Sequence, residues 1–157
     1  MKQKNDTKKM IEMLAENEQA LSHLYASYAK MFPRKQKFWL DLAHEEAEHS
    51  RMIREVGTGN LPIGDAESNS FDLEILQISL NYIGEKQEQA NSEKMSMKEA
   101  VSIALGIETG MLERGNFKLL TGDIPDFNQL FESLVRDTQK HSDKIRKELS
   151  RKRWLIF

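Results

Sequence analysis

The chain has 157 residues, a formal net charge of −2 and no cysteine. This length predicts one domain with enough chain to bury a core, and the small, mixed charge gives no electrostatic case for nucleic-acid binding. The lack of cysteine excludes disulfides, thiolate zinc sites, iron–sulfur clusters and rubredoxin-type iron, so any metal must be bound through oxygen and nitrogen.

The first predicted helix covers about 7–32, where apolar residues recur at spacings of three and four. Glu18 falls on the same face as Leu14 and Leu21. A carboxylate on the buried face of a helix is costly unless it is paired or coordinated. Pro33 ends the helix and suits the first turn of the next one.

The second predicted helix covers about 34–56 and forms a tight antiparallel pair with the first. Its apolar stripe contains Glu46 and His49. Residues three apart lie on one face of a helix, so these two can direct a carboxylate and an imidazole to one point. The glycine-rich and polar residues of 57–70 predict a long surface connection after it.

A third helix at about 71–88 spreads its apolar residues over more than one face, which predicts a segment that packs across the molecule as part of a crossover. Ser96 and Glu99 have the spacing of a capping box, so the next helix should begin there and cover about 96–120. Glu108 lies on its apolar stripe. This helix therefore carries a third carboxylate on a buried face.

The last predicted helix covers about 124–152 and carries His141 on its apolar side, with Thr138 one turn earlier. Two helical hairpins joined by a long connection predict an all-α fold. In detail, we expect a single domain over 1–157, built as a four-helix bundle with a long, partly helical crossover between bundle helices two and three. The apolar tail WLIF at 154–157 is expected to dock on the bundle or on a second subunit.

Polar residues thus interrupt the apolar stripes of four helices in register, namely Glu18, Glu46, His49, Glu108 and His141. Carboxylates crowded into a dry core repel one another, and a divalent cation relieves this. We therefore predict these five residues as metal ligands. Mixed carboxylate and imidazole ligation suits iron or manganese and is also compatible with zinc. The alternative is that Glu18 and Glu108 lie at stripe edges and pair with lysines or histidines in a buried polar network.

The sequence resembles the rubrerythrin-like branch of the ferritin-like di-iron superfamily, chiefly in AENEQALSHLYASYAKMFP followed by FWLDLAHEEAEHSRMI. The resemblance implies Glu18 and Glu108 as terminal ligands of two irons, Glu46 as a bridging ligand, and His49 and His141 as imidazole ligands. Two residues depart from the family pattern. The family has a second bridging glutamate where this chain has Thr138, and an extra carboxylate where it has Met111.

The resemblance also implies a function, which is the binding of two irons, the second less firmly, with oxidation of ferrous iron or reduction of oxygen or peroxide. A substrate hydroxylase on the same scaffold stays open. With no rubredoxin cysteines, electrons would come from ferrous substrate or an external donor. The alternative is a ferritin-like structural or interaction protein whose centre has decayed, with Thr138 as the first sign of loss. We expect a cytoplasmic homodimer with no nucleic-acid partner. We also expect no membrane span, because no apolar run reaches roughly 18 residues.

Several polar residues near these stripes are expected to be bystanders. Glu45 and Glu48 are most simply solvated, and His23 and His44 should lie on the surface. Asp137 lies about 100° round the helix from Thr138, which makes it a poor substitute ligand. Aromatic residues on a helix face most often pack in the core, which is the expectation for Tyr25 and Tyr28, although either could hydrogen-bond a ligand or serve electron transfer.

Overall fold

The structure, a computed structural model, describes residues 2–58, 70–114 and 125–151. All regular secondary structure in these ranges is helical, which confirms the predicted all-α class. The elements in chain order are α1 (Lys2–Met31), a 3₁₀ turn (Pro33–Lys35), α2 (Gln36–Thr58), α3 (Ser70–Ser92), α4 (Met97–Arg114) and α5 (Pro125–Leu149).

These bounds lie within a few residues of the predicted ones wherever both can be compared. Helix α2 continues to Thr58, beyond its predicted end at residue 56. A Cβ atom added at Gly57 would lie 2.7 Å from Ile11 Cγ2, so the glycine permits close approach of α1. The predictions for 59–69, for the end of the fourth helix at 115–120 and for the WLIF tail fall outside the described residues.

Helices α1 and α2 are antiparallel and joined by the turn at Pro33. Ser22 Oγ donates to the carbonyl oxygen of Ala43 at 2.7 Å, and Ser50 Oγ donates to that of Ala15 at 2.8 Å. Residue numbers increase along one helix as they decrease along the other, which defines the antiparallel direction. These two hydrogen bonds lie on either side of Glu18 on α1 and of Glu46 and His49 on α2. The predicted ligands of both helices therefore lie at the same level.

Helix α3 runs along α1 in the same direction. Asn17 Nδ2 donates to the carbonyl oxygen of Leu76 at 3.3 Å, and ten residues further on Gln87 Nε2 donates to Ser27 Oγ at 2.6 Å. The prediction that this helix packs across the molecule is therefore wrong, because α3 lies along α1. Only one face of α3 is buried, and two of its large apolar residues are exposed, namely Ile78 and Tyr82.

Helix α4 begins with the predicted capping box. The Glu99 N–H donates to Ser96 Oγ at 3.1 Å, and the Ser96 N–H donates to Glu99 Oε2 at 3.4 Å. Trp39 of α2 donates through Nε1 to Met97 Sδ at 3.4 Å. Position 39 therefore lies beside 97, while position 46 lies beside 108, so α2 and α4 run in the same direction. Parallel helices need a long connection, and α3 lies within it.

The core is built from residues of all five helices, including Leu76 and Ile83 of α3. It contains Trp39, whose ring lies 5.6 Å from that of Tyr25 and 4.9 Å from that of Tyr28, centroid to centroid. Burying a large apolar side chain contributes about 1.5–3 kcal/mol, so this cluster stabilises the level of the predicted site. In the described part of the chain, no helix is long and apolar enough to cross a membrane.

Candidate metal centre

The five predicted ligands lie together in the interior, and four different helices supply them. Their exposed fractions are 1% for Glu18, 1% for Glu46, 3% for His49, 0% for Glu108 and 2% for His141. Carboxylate-to-imidazole contacts connect them, from His49 to Glu18 and Glu46 and from His141 to Glu46 and Glu108. The structure thus brings together every side chain that the stripe pattern singled out.

The five residues form two groups that share Glu46. One group is Glu18, Glu46 and His49, and the other is Glu46, Glu108 and His141; in each, one potential ligand atom per residue lies within 4.8 Å of the others. Glu46 Oε2 lies 3.3 Å from His49 Nδ1, and Glu46 Oε1 lies 2.8 Å from His141 Nδ1. A carboxylate whose two oxygens face two imidazoles is placed to bridge two cations.

Both imidazoles turn Nδ1 towards this interior point and Nε2 away from it. His49 Nε2 lies 3.0 Å from Asp137 Oδ2, and His141 Nε2 contacts Glu45 Oε2. The two rings are stacked, with centroids 5.6 Å apart and planes inclined by 23°. In metal sites, a carboxylate on the second ring nitrogen of a histidine ligand fixes the ring and raises its basicity. The outward nitrogens therefore have the partners that metal-binding histidines normally have.

Glu45 and Asp137 have contacts that the sequence interpretation did not predict. Glu45 contacts His141 although 56% of its side chain is exposed, so it is not simply solvated. Asp137 points away from its own stripe, and that offset directs it to His49 on α2. A signal was available, because an acidic residue precedes Glu46 in the first motif and Thr138 in the second. Each of these acids contacts the histidine of the opposite helix.

Three carboxylate oxygens at this point are buried without a hydrogen-bond partner, namely both oxygens of Glu18 and Oε2 of Glu108. The nearest charged nitrogen to Glu18 is His49 Nδ1, 3.7 Å from Oε2, which is too long for a hydrogen bond. The other Glu108 oxygen accepts a 2.8 Å hydrogen bond from the Tyr25 hydroxyl. Buried oxygens are rarely left without a partner, and a cation would satisfy all three. Three carboxylates and two imidazole nitrogens therefore fit a divalent metal centre.

The crowding of these buried groups also changes the pKa values of Glu18, His49 and His141. Burial, reinforced by the charge on Glu46, holds the pKa of Glu18 well above its ordinary value of 4.5. Burial alone would lower the pKa of His49, but contact with the Glu18 and Glu46 carboxylates raises it to about 11. Burial acts in the same way on His141, and contact with Glu108 and Glu46 raises its pKa to about 11. Protons on the two imidazoles thus neutralise part of the carboxylate charge, and a metal ion must displace them.

The other residues that the sequence analysis considered near these stripes are either exposed or fully buried. His23 and His44 are exposed, as predicted, and Glu48 pairs with Arg51 on the surface. Tyr25 and Tyr28 are fully buried.

The two departures from the family pattern lie inside the fold. Thr138 is buried at 1% exposure, three residues before His141, and Met111 is buried at 2% one turn beyond Glu108. In the described residues the two ligand groups share one carboxylate, Glu46.

The contact between Asp137 and His49 leads to a first testable prediction. Asp137→Ala should weaken metal binding at the His49 position by about 10–100-fold, because the imidazole loses the carboxylate that orients it. The measurement is a Co²⁺ titration followed by absorption. Asp143→Ala is the matched control, since Asp143 lies on the same helix and contacts only surface residues. Equal affinity in the two variants would show that Asp137 does not support the centre.

Comparison of the chain with protein families, with curated proteins and with solved structures found no match. The case for a function therefore depends on the geometry of the five buried residues and their two outer carboxylates.

Proposed function

We propose that this protein is a rubrerythrin-like member of the ferritin-like superfamily that binds two metal ions, with iron as the native metal. In this proposal α1, α2, α4 and α5 form the four-helix bundle, and α3 belongs to the crossover. The parallel direction of α2 and α4 supports this topology, since it requires a long connection. The observation that carries the proposal is the sharing of Glu46 between two buried ligand groups.

Each side chain has a distinct task in this centre. Glu46 would give one oxygen to each ion, His49 and His141 would bind through Nδ1, and Glu18 and Glu108 would each complete one position. The Tyr25 hydrogen bond holds Glu108 in one orientation. Because all five ligands are at most 3% exposed, bulk water does not compete for them.

Bound iron would supply one-electron redox chemistry, and we propose that the protein uses it to transfer electrons to oxygen or peroxide, either from ferrous iron as substrate or from an external donor. Manganese and zinc accept the same donor atoms, so the identity of the native metal is part of the test below.

A second candidate is a ferritin-like structural or interaction protein with a weakly or singly occupied centre. Thr138 favours it, because the buried position one turn before His141 has no carboxylate with which to bridge a second ion. This candidate predicts the same fold but a different metal stoichiometry.

Metal titration of protein purified without chelator separates the two candidates. The proposed centre predicts about two ions per chain, one for each ligand group, and ferrous oxidation in air that is faster than the buffer blank. At a free metal concentration 100 times the Kd, one site adds about 2.7 kcal/mol of stability. For a chain of this size that raises Tm by about 5–11 °C. Less than one ion per chain, with no oxidation above the blank, would favour the structural candidate.

The same titration should depend on pH. His49 and His141, with pKa values of about 11, are protonated at neutral pH and must be neutral to bind a metal. Each metal therefore displaces a proton, and its affinity should rise about tenfold for each pH unit between pH 6 and 8. An affinity that does not change over this range would contradict binding through the two imidazoles.

A further inference from the structure

We propose that the apolar tail at 154–157 (WLIF) docks in a groove of its own chain, at the end of the molecule where α1 turns into α2. We call this surface the turn groove, and it is lined by Met31, Phe32, Pro33, Arg34, Lys35 and Met97. None of these residues belongs to the proposed metal centre. The inference therefore stands or falls independently of the proposed function.

The turn groove is apolar and has room for bulky side chains. Met31 and Phe32 are half-buried and Pro33 is exposed, while Met97 is 7% exposed and accepts the Trp39 hydrogen bond from the core side. The two basic residues that line the groove can contribute their apolar stems while their charged ends stay in water. Its volume is about 380 Å³. Apolar surface grooves of this kind are typical places for another apolar group to dock.

Helix α5 ends beside the turn groove. His141 Nδ1 of α5 lies 2.8 Å from Glu46 Oε1 of α2. Seven residues further along α5, Glu148 Oε1 lies 2.8 Å from Lys35 Nζ, just before α2 begins. Residue numbers thus decrease along α2 as they increase along α5, so the two helices are antiparallel. Because Lys35 also lines the turn groove, the last turn of α5 lies at the same end of the molecule as the groove.

The residues that follow α5 can reach the groove. Arg151 lines a cavity of about 310 Å³ together with Arg34 and Lys35. The last two also line the turn groove, so the cavity and the groove adjoin. Residues 152–157 follow Arg151 in the sequence, and an extended chain of six residues spans up to roughly 20 Å. The tail therefore starts next to the groove and is long enough to enter it.

Proximity favours the tail of the same chain over other occupants. Only Lys152 and Arg153 separate the tail from Arg151. A segment on so short a connection has an effective concentration of about millimolar at a neighbouring site. All four side chains of the tail are apolar, as the walls of the groove are, and docking removes both surfaces from water.

Apolar contact would hold the tail in place, because the charges beside the groove do not attract its basic neighbours. The charged residues of the adjoining cavity are mainly basic, namely Arg34, Lys35, Lys37, Lys144 and Arg151 against Asp41 and Glu148. Salt screens the repulsion between these residues and the basic pair at 152–153, and it leaves apolar contact intact. Docking should therefore persist at high salt, whereas attraction of the basic pair to an anionic membrane should weaken.

Acrylamide quenching of tryptophan fluorescence in the whole chain tests the docking. The chain has two tryptophans, and Trp39 is fully buried, so quenching reports mainly on Trp154. In the unchanged protein Trp154 should be protected from the quencher. Met31→Asp places a charge in the turn groove and should raise the quenching constant several-fold. Ile78→Asp is the matched control, since Ile78 is 58% exposed on α3 and does not line the groove, and it should leave quenching unchanged.

Engineered cysteines give a second measurement, because the chain has no cysteine of its own. Leu155→Cys combined with Met31→Cys should form a disulfide within one chain under mild oxidation, since a disulfide requires close approach of the two residues. Glu55→Cys is the control partner for Leu155→Cys. Glu55 lies 20 residues beyond Lys35, nearly all of them in α2, which is roughly 30 Å along a helix and beyond the reach of the tail.

Three results would overturn the inference. The first is equal quenching in the unchanged protein and in a folded Met31→Asp variant. The second is protection or cross-linking that increases with protein concentration, which would show that a second copy supplies the tail. The third is protection that requires phosphatidylserine vesicles and is lost at high salt, which would show that the tail binds a membrane. Should Met31→Asp fail to fold by circular dichroism, the cross-linking yield decides.

Discussion

Glu46→Ala should abolish the binding of both metal ions, the largest loss expected from any single substitution in this chain. Glu46 is the one residue common to both ligand groups, and its two oxygens face the two imidazole Nδ1 atoms. Loss of an outer partner of a ligand costs about 10–100-fold in affinity, and loss of a shared ligand should exceed that range for each ion. A Co²⁺ titration followed by absorption measures the effect.

Glu55→Ala is the matched control for this experiment. Glu55 lies on the same helix and pairs with Arg51 on the surface, so its removal should leave the stoichiometry unchanged. A Glu46→Ala protein that still binds two ions per chain would refute the bridging assignment. A Glu46→Ala protein that still binds one ion would also contradict the prediction, because it would show that one ligand group can bind a metal without Glu46.

Glu18→Leu should stabilise the metal-free protein and remove one metal position. Both Glu18 oxygens are buried without a hydrogen-bond partner, and such groups cost about 1–3 kcal/mol in the folded state. The substitution leaves His49 with two carboxylate partners, Glu46 and Asp137, so it does not create an unpaired buried charge. Urea unfolding of chelator-treated protein should therefore show a gain of about 1–3 kcal/mol, while metal titration shows the loss of one ion.

The gain in unfolding free energy of the Glu18→Leu variant should increase with pH. Burial raises the pKa of Glu18 in the folded protein, so the unfolded chain ionises this group first. The penalty therefore grows as pH rises above the ordinary carboxyl pKa of 4.5, and the Leu variant should gain more at pH 7 than at pH 4.

Glu12→Leu serves as the control for Glu18→Leu, because Glu12 is on the same helix but exposed and paired with Arg54. Its effect on stability should stay within about 0.5 kcal/mol. If Glu18 instead belonged to a structural polar network, the alternative considered from sequence, Glu18→Leu would destabilise the fold. The sign of the change in unfolding free energy thus separates a ligand from a structural residue.

Local pattern was sufficient to predict the helices and the side chains that face the interior. The all-α class, the capping box at Ser96 and the turn at Pro33 depend on residues within one turn of one another, so the chain carries that information locally. The same period placed Glu18, Glu46, His49, Glu108 and His141 on buried faces, where all five are found.

Only the tertiary structure decided how these faces meet. His49 meets Asp137 across 88 positions of sequence, and His141 meets Glu45 across 96. Such pairs depend on the rotation and axial offset of one helix against another, which large-scale packing sets and a single helix does not encode. The same packing placed α3 along α1 and gave each oxygen of Glu46 to a different imidazole, so the periodicity selected the residues and the arrangement of helices assigned their partners.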